Sequence, residues 1–238
     1  MATPMTPERF QARWNNYKKE AQQSSGVWML HEAIHKLPGG QEILLEEAPW
    51  ALKFSEKPPA PSATNPLKVT YQSQLDNASG TGYRECFSSS CAMLAIYWGK
   101  VKNDDEYNKI RAKYGDTTDP QAQLSALRSL GLTANYYTTG NKDSLKQEID
   151  KGRPCAVGWL HKGPVSAPSG GGHWSVVIGY TSSATIQSDP NGQASLVSGG
   201  YTADTNGASE TYSDANWLPR WECDGKNTGW WLQCYLPA

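Results

Sequence analysis

The spacing of apolar side chains predicts helices in the first part of the chain. After Thr6 and Pro7, which suit the N-cap and first turn of a helix, apolar residues recur at helical spacing as far as residue 22. Two further helices are predicted over residues 27–37 and 41–54. The Pro-rich stretch that follows cannot form a regular element. The chain therefore divides into a small helical N-terminal module, a linker and a larger domain, over residues 1–56, 57–66 and 67–238.

Helix and strand patterns alternate along the larger domain. A short strand is predicted at residues 67–71, and three helices follow over residues 86–98, 104–114 and 120–130. After them come a strand, a helix and three strands, over residues 133–138, 143–151, 155–160, 173–180 and 185–188. Two aromatic strands are predicted to flank the turn at residues 224–229. This order predicts an α+β domain in which a helical half packs on an antiparallel sheet.

One stretch, YRECFSSSCAMLAIYWG, combines a predicted helix start with a cysteine. Its polar approach ends at Cys86, and almost every residue over 92–98 is apolar, which predicts a helix buried on most of its surface. A cysteine at a helix start meets free backbone N–H groups and the positive end of the helix dipole, and both stabilise the nucleophilic thiolate. Cys86 is therefore a candidate nucleophile. The alternative is that Cys86 and Cys91 are ordinary core cysteines.

Two later residues have the placement that a base and its orienting partner would need. His173 opens a strand directly after a Gly/Pro/Ser loop, so one ring nitrogen can face a cleft while the other is held from behind. His161 precedes that loop and does not open a predicted strand, so it lacks the placement described for His173. Asp189 follows the next strand, and an antiparallel hairpin would bring its carboxylate near the imidazole. Asp189 can also cap its own Asp-Pro-Asn-Gly turn, and the two roles are compatible.

A glutamine shortly before the cysteine can complete such a site. The side-chain N–H of Gln74, or less directly of Gln72, can donate to the oxyanion of an acyl-transfer intermediate beside the backbone N–H of the nucleophile. The alternative is that both are exposed loop amides.

Charge and cysteine content exclude several classes of function. With 22 Lys and Arg against 23 Asp and Glu, the chain has no broad electrostatic footprint for nucleic acid or an anionic membrane, and we expect neither as a partner. The five cysteines include no CxxC pair, which argues against a zinc ribbon or a complete disulfide framework, although a single Cys223–Cys234 bridge stays open. The N-terminus lacks the pattern of a signal peptide, so we expect cytoplasmic synthesis.

The N-terminal module contains a formal match to a zinc-peptidase motif. His31, Glu32 and His35 fit the pattern H-E-x-x-H, in which two imidazoles one helical turn apart share a face. Too few residues precede the motif for the sheet that normally walls such a site, and no extended third-ligand motif follows. We interpret it as a surface helix and expect no metal and no cofactor.

Taken in order, these features are similar to a known family. A Gln-rich approach, a cysteine at a buried helix start, two helices, "KGRP" leading into a strand, "GGHWSVVIGY" and "SDPNG" follow one another over about residues 67–201. This order resembles the papain-like peptidases of the bacteriocin leader-processing type, cysteine peptidase family thirty-nine, and especially their stand-alone bacterial and phage relatives. The resemblance implies a papain-like cysteine peptidase fold, with catalytic roles for Cys86 as nucleophile, His173 as base, Asp189 as orienting residue and Gln74 in the oxyanion hole.

Two departures qualify what the resemblance implies. Phe87 follows the cysteine where many relatives have glycine, and no transporter is fused to the chain, so we do not expect leader processing during export. The expected activity is hydrolysis of an amide bond through a thioester. By association with the stand-alone relatives, the preferred substrate is peptidoglycan peptide, with the N-terminal module docking to the wall or to a virion assembly. The alternatives are a maturation peptidase acting on a protein, a zinc peptidase, and an inactive virion or scaffold protein.

Overall fold

The computed structural model describes residues 65–237. The predicted N-terminal helices, with His31, Glu32 and His35, and most of the linker lie outside the described residues, so the division into three parts stays a prediction. The described elements are α1 (Cys86–Tyr97), α2 (Asp104–Arg111), α3 (Pro120–Ser129), β1 (Thr133–Gly140), α4 (Lys142–Asp150), β2 (Cys155–Trp159), β3 (His173–Tyr180), β4 (Ala184–Ser188), β5 (Glu210–Ser213), α5 (Asp214–Trp221) and β6 (Gly229–Tyr235). Two short 3₁₀ turns, Gln74–Asp76 and Gly82–Arg84, precede α1.

The six described strands form one sheet in the order β1-β6-β2-β3-β4-β5. Every neighbouring pair is antiparallel, and β6, the last strand in sequence, lies between β1 and β2. Strand β2 is buried along its whole length, which agrees with its continuous apolar sequence. The predicted α+β class with an antiparallel sheet is confirmed.

Helices cover both faces of the sheet. Alternate residues of β2 and β3 enter two separate apolar clusters, because successive side chains of a strand point to opposite faces. Ala156 and Val176 join the cluster that contains α1, whereas Val157 and Val177 join the cluster that contains residues of α4 and α5. Most of α1 is buried, so this helix is a fixed support for the residue at its first position.

Two predicted strands are wrong. Residues 67–71 form no regular element, and only the Leu67 N–H of this segment bonds to the sheet, at 2.7 Å from the Ile178 carbonyl oxygen. Residues 214–221 form α5 instead of an aromatic strand. Trp217 and Trp221 lie four positions apart, which places them on one helix face, and their stacked rings, 4.8 Å between centroids, are buried in the core. Aromatic content alone therefore misassigned this segment.

Candidate active site

The chain before α1 is held by a buried carboxylate. Glu85 is 2% exposed, and its carboxylate accepts hydrogen bonds from Asn77 at 2.6 Å and from Ser79 and Thr81 at 2.8 Å. These contacts fix the turn from which α1 starts at Cys86, a half-buried free cysteine. Because the first N–H groups of an α-helix have no partner within the helix, the Cys86 thiol lies beside free donors and the positive end of the dipole.

The helix start is also docked onto the sheet by Phe87. Its ring stacks on Trp174 of β3, with 3.7 Å between centroids and 7° between planes, and is 1% exposed. The bulky residue after the cysteine therefore does not displace the first turn of α1. It fills the space between the helix and the sheet, and so fixes Cys86 relative to β3.

His173 and Asp189 meet at one end of the β3–β4 hairpin. His173 Nε2 and Asp189 Oδ1 are 2.7 Å apart, and the two side chains are 5% and 0% exposed. Since Nε2 is engaged by the carboxylate, Nδ1 is the ring nitrogen left for the thiol. The antiparallel pairing of β3 with β4, predicted from sequence, brings the two residues together.

The electrostatics of this pair favour a protonated imidazole. Burial alone would lower the pKa of His173, but the charge and hydrogen bond of Asp189, with a further contribution from the Cys86 side chain, raise the pKa of His173 to about 10. At neutral pH His173 is therefore an imidazolium, which is the partner that a cysteine thiolate needs.

Two tyrosines complete the surroundings of the Asp189 carboxylate. Its Oδ1 also accepts the Asn191 N–H at 3.0 Å, so the residue caps its turn as well as contacting His173. Its Oδ2 accepts the Tyr212 hydroxyl at 2.9 Å and the Tyr201 hydroxyl at 3.5 Å. Sequence reasoning missed both tyrosines, because a hydroxyl that reaches the site from a distant loop or edge strand leaves no local pattern.

Aromatic rings shield the His173–Asp189 contact. Trp159, the partner of His173 in the β2–β3 pairing, lies edge-on to the imidazole at 5.3 Å between centroids. The Tyr201 ring is also edge-on, at 5.4 Å between centroids, and the His161 ring is tilted by 59° at 5.8 Å. Because these rings exclude water, the ion pair interacts in a medium of low polarity, where it is stronger than at the surface.

Gln74 is buried beside the start of α1 and already makes one side-chain hydrogen bond. It is 3% exposed, and its Nε2 donates to the Gly82 carbonyl oxygen at 2.9 Å. An amide nitrogen carries two hydrogens, so one remains for another acceptor. Gln72 is used elsewhere: its Oε1 accepts the Asp104 N–H at 3.0 Å. Of the two glutamines, Gln74 is the one that lines the same cleft as the cysteine.

The predicted residues converge on this cleft, which we call the polar cleft. It has a volume of about 260 Å³, and its lining includes Cys86, His173, Gln74, Arg84, Asn191 and Tyr201. The structure thus brings Cys86, Gln74 and His173 to one cavity, with Asp189 behind the imidazole.

The other histidine and cysteines of the described region do not have these surroundings. His161 also lines the polar cleft, but burial and the positive charges of His173 and Lys162 lower the pKa of His161 to about 4, so it is neutral at physiological pH. Cys91 and Cys155 are fully buried, and burial raises the pKa of both thiols. Cys223 is exposed and Cys234 is buried in the core, and both are free.

Two further properties concern residues 65–237 only. Within them, His, Cys, Asp and Glu side chains form no group of three or more suited to a metal ion. No helix of this part of the chain is both long and apolar enough to cross a membrane.

A cysteine at a buried helix start and a histidine–aspartate pair on an antiparallel sheet define the class of papain-like cysteine peptidases. The profile of the Peptidase_C39 like family matches residues 66–222. This match spans more than half of the chain, which therefore belongs to this family of cysteine peptidases. Family membership confirms the resemblance noted in the sequence and assigns the chain to enzymes that hydrolyse peptide bonds.

Similar solved structures were also found. The peptidase domain of Streptococcus ComA, a bi-functional ABC transporter involved in quorum sensing, is 17% identical, with 71% of this chain and 100% of that chain covered and a TM-score of 0.48. A double glycine motif protease from an AMS/PCAT transporter, in complex with the leader peptide, is 19% identical (74% and 97% covered, TM-score 0.45). A C39-like peptidase from Bacillus anthracis is 15% identical (72% and 96% covered, TM-score 0.45). Among curated proteins, none matches the chain.

Proposed function

We propose that the protein cleaves peptide bonds with Cys86 as nucleophile, His173 as general acid and base, and Asp189 as orienting residue. The observation that carries this proposal is the buried 2.7 Å contact between His173 and Asp189, in a cleft whose wall includes Cys86 at the start of α1. This is the arrangement of an activated nucleophile, a base and a third group that orients the base.

In the proposed reaction, the Cys86 thiolate attacks the carbonyl carbon of the scissile peptide. The carbonyl oxygen becomes an oxyanion, which accepts hydrogen bonds from the Cys86 backbone N–H and from the free amide hydrogen of Gln74. His173 then gives its Nδ1 proton to the nitrogen of the leaving amine as the C–N bond breaks, and a thioester remains. Neutral His173 next takes a proton from water, and the hydroxide attacks the thioester. The acid product leaves, and the thiolate and imidazolium are restored.

The substrate expected from the resemblance, peptidoglycan peptide, stays a proposal, with a protein substrate as its alternative. Both substrates would use every residue of the mechanism, so the catalytic residues alone do not distinguish them. Digestion of purified wall sacculi and of a denatured protein mixture, followed by mass measurement of the products, separates the two. Wall cleavage without protein cleavage would support the first, and the reverse would support the second. Docking of the N-terminal module to the wall or to a virion is likewise a proposal.

The test of the nucleophile is labelling by a thiol-reactive probe, read out by peptide mass spectrometry. We expect fast labelling of Cys86 in wild type, and strongly slowed labelling of Cys86 in His173→Ala. Exposed Cys223 will also react, so Cys223→Ser provides the matched control that leaves only the Cys86 signal. The buried cysteines should react slowly in all variants. If Cys86 is modified no faster than Cys223, and Cys86→Ala retains full peptidase activity, the proposal is wrong.

A further inference from the structure

A second cavity, which we call the apolar pocket, adjoins Cys86 at the end of the sheet where β2 ends and β3 begins. Its volume is about 180 Å³, and its lining includes Phe87, Trp159, Leu160, Trp174, Trp221 and Trp230. Four residues line both this pocket and the polar cleft, so the two cavities are neighbours that meet at Cys86: Cys86, Thr118, Gly171 and Gly172.

The walls of the apolar pocket offer ring faces and almost no polar groups. Apart from the proposed nucleophile Cys86, its lining includes no acidic, basic or histidine side chain. Two of the four indole N–H groups are already used within the protein, since Trp159 donates to the Ser175 hydroxyl at 2.9 Å and Trp221 donates to the Trp230 carbonyl oxygen at 2.8 Å. An occupant would therefore be bound by apolar contact, and a charged or strongly polar group would lose its hydration there without compensation.

Size and position indicate what the apolar pocket would hold. An apolar cavity of about 150 Å³ is large enough to bind benzene, so about 180 Å³ accommodates an aromatic or large aliphatic side chain. The exposed ring of Trp230, 46% accessible, extends the apolar wall out to solvent, where a large exposed apolar side chain next to a cavity marks a binding surface. The pocket opens beside the sulfur, which restricts the occupant to a residue close to the bond that is cut.

We propose that the apolar pocket is the specificity site of this peptidase, and that it selects a peptide with an aromatic or large aliphatic side chain within two residues of the scissile bond. This inference rests on the proposed peptidase function. It favours a protein or peptide substrate over peptidoglycan stem peptides, whose side chains are small or charged and would gain little from such walls.

The first experiment reads the preference directly. Wild-type protein digests a peptide library prepared from a whole proteome, and mass spectrometry identifies the new termini. We expect Phe, Trp, Tyr, Leu, Ile and Met to be enriched at one position within two residues of the cut bond. For the best sequence, replacing that residue by Ala should lower kcat/KM by about tenfold to a hundredfold, as the loss of a buried large side chain predicts. A flat profile at these positions would overturn the proposal.

Variants connect the preference to the pocket. Cys223→Trp, which adds a ring at the pocket margin, and Trp230→Ala, which removes an exposed wall, should each reduce the ratio of kcat/KM between the Phe and Ala peptides by at least fivefold. Val197→Trp adds a ring at an exposed position outside the pocket, and Tyr114→Ala removes an aromatic of nearly equal exposure, 45%, outside the pocket. These two controls should keep the wild-type ratio. A preference that is unchanged in both pocket variants would contradict the assignment.

A binding measurement separates this proposal from the peptidase mechanism. N-acetyl-phenylalanine amide is titrated into the full-length Cys86→Ala protein, with N-acetyl-alanine amide as the control, and the indole N–H signals are followed by NMR. Shifts of the Trp159, Trp174, Trp221 and Trp230 signals with the Phe compound alone support the pocket, even if no peptide is cut and the proposed function fails. If these signals do not shift, the assignment of the apolar pocket as the specificity site is wrong, even if the enzyme is active.

Discussion

The Asp189 carboxylate contacts four residues from different parts of the structure. His173 and the Asn191 N–H share Oδ1, and the tyrosine hydroxyls of Tyr201 and Tyr212 share Oδ2. A buried carboxylate is stable only when its lone pairs are satisfied, so the tyrosines support the charge that orients His173. The Tyr212 hydroxyl is itself an acceptor, from the Ala194 N–H at 3.2 Å.

Tyr212→Phe is expected to lower the free energy of unfolding by about 1–3 kcal/mol, because it leaves Asp189 Oδ2 and the Ala194 N–H each short of a buried partner. Chemical denaturation followed by circular dichroism measures the change. Tyr137→Phe is the matched control, since the Tyr137 ring is 37% exposed and should shift stability by less than about 0.5 kcal/mol. Equal stability of Tyr212→Phe and wild type would show that this hydroxyl does not support the carboxylate.

Catalytic candidates could be predicted from sequence where a local pattern marks them. Cys86 comes at a polar-to-apolar boundary, His173 follows a Gly-rich loop, and Asp189 opens a turn with recognisable chemistry. Tyr201 and Tyr212 have no such boundary, and their contacts to Asp189 depend on the path of the chain over residues 189–213. The same limitation applies to Glu85, whose three hydrogen-bond partners lie in the preceding loop but have no characteristic spacing.

At the scale of elements, α5 positions the loops around the site through one buried arginine. Arg220 is 0% exposed, and all five of its guanidinium N–H groups donate to carbonyl oxygens, those of Leu160, Lys162, Gly163 and Leu196, at 2.6–3.1 Å. The segment 160–163 carries His161 and begins the loop that ends at His173. Arg220 therefore connects the helix to the approach to the catalytic strand.

Arg220→Lys should lower the free energy of unfolding by at least about 3 kcal/mol, because an ammonium cannot reach four carbonyls that a planar guanidinium serves together. Hydrogen exchange should also become faster at the amides of residues 160–163. Arg128→Lys is the matched control: Arg128 donates both of its bonds to the single Ala134 carbonyl oxygen, which one lysine donor can serve. Equal losses in the two variants would contradict the role assigned to Arg220.

Elements with strong local boundaries were predicted well, and those defined by tertiary contacts were not. Asp119 and Pro120 start α3 as the sequence indicates, with the Asp119 carboxylate accepting the Gln121 N–H, and the helix at Cys86 ends just before Gly99. Segment 67–71 has the alternation of a strand but makes a single sheet hydrogen bond. In α5, the tryptophans that suggested a strand are the residues that bury the helix against the sheet. A segment of eight residues is too short for its apolar pattern to distinguish a helix from a strand.

At the scale of the whole molecule, the proposed site lies where the helical half meets the sheet. Cys86 belongs to a helix on one face, whereas His173 and Asp189 belong to the β3–β4 hairpin, so the site exists only when both are assembled. Folding and the proton affinity of the site are therefore coupled. The pKa of His173 is about 10 in the folded protein and about 6.5 in the unfolded chain. Folding therefore favours the protonated form of His173, and protonation of His173 favours folding.

The free energy of unfolding should consequently fall as pH rises. The stabilisation from His173 is complete below about pH 6.5 and is lost as pH approaches 10, with a slope of at most about 1.4 kcal/mol per pH unit. Denaturant unfolding of wild type and His173→Gln at half-unit steps from pH 7.5 to 9 measures the difference, because the variant should lack this slope.

His161→Gln is the control, since the pKa of His161 is lowered to about 4 and the residue is neutral in both the folded and the unfolded state throughout this range. Burial also raises the pKa of the Cys91 and Cys155 thiols. Their contribution to the pH dependence of unfolding begins at higher pH than that of His173 and is common to all three proteins. Parallel curves for wild type and His173→Gln would show that Asp189 does not hold a proton on His173 in the folded state.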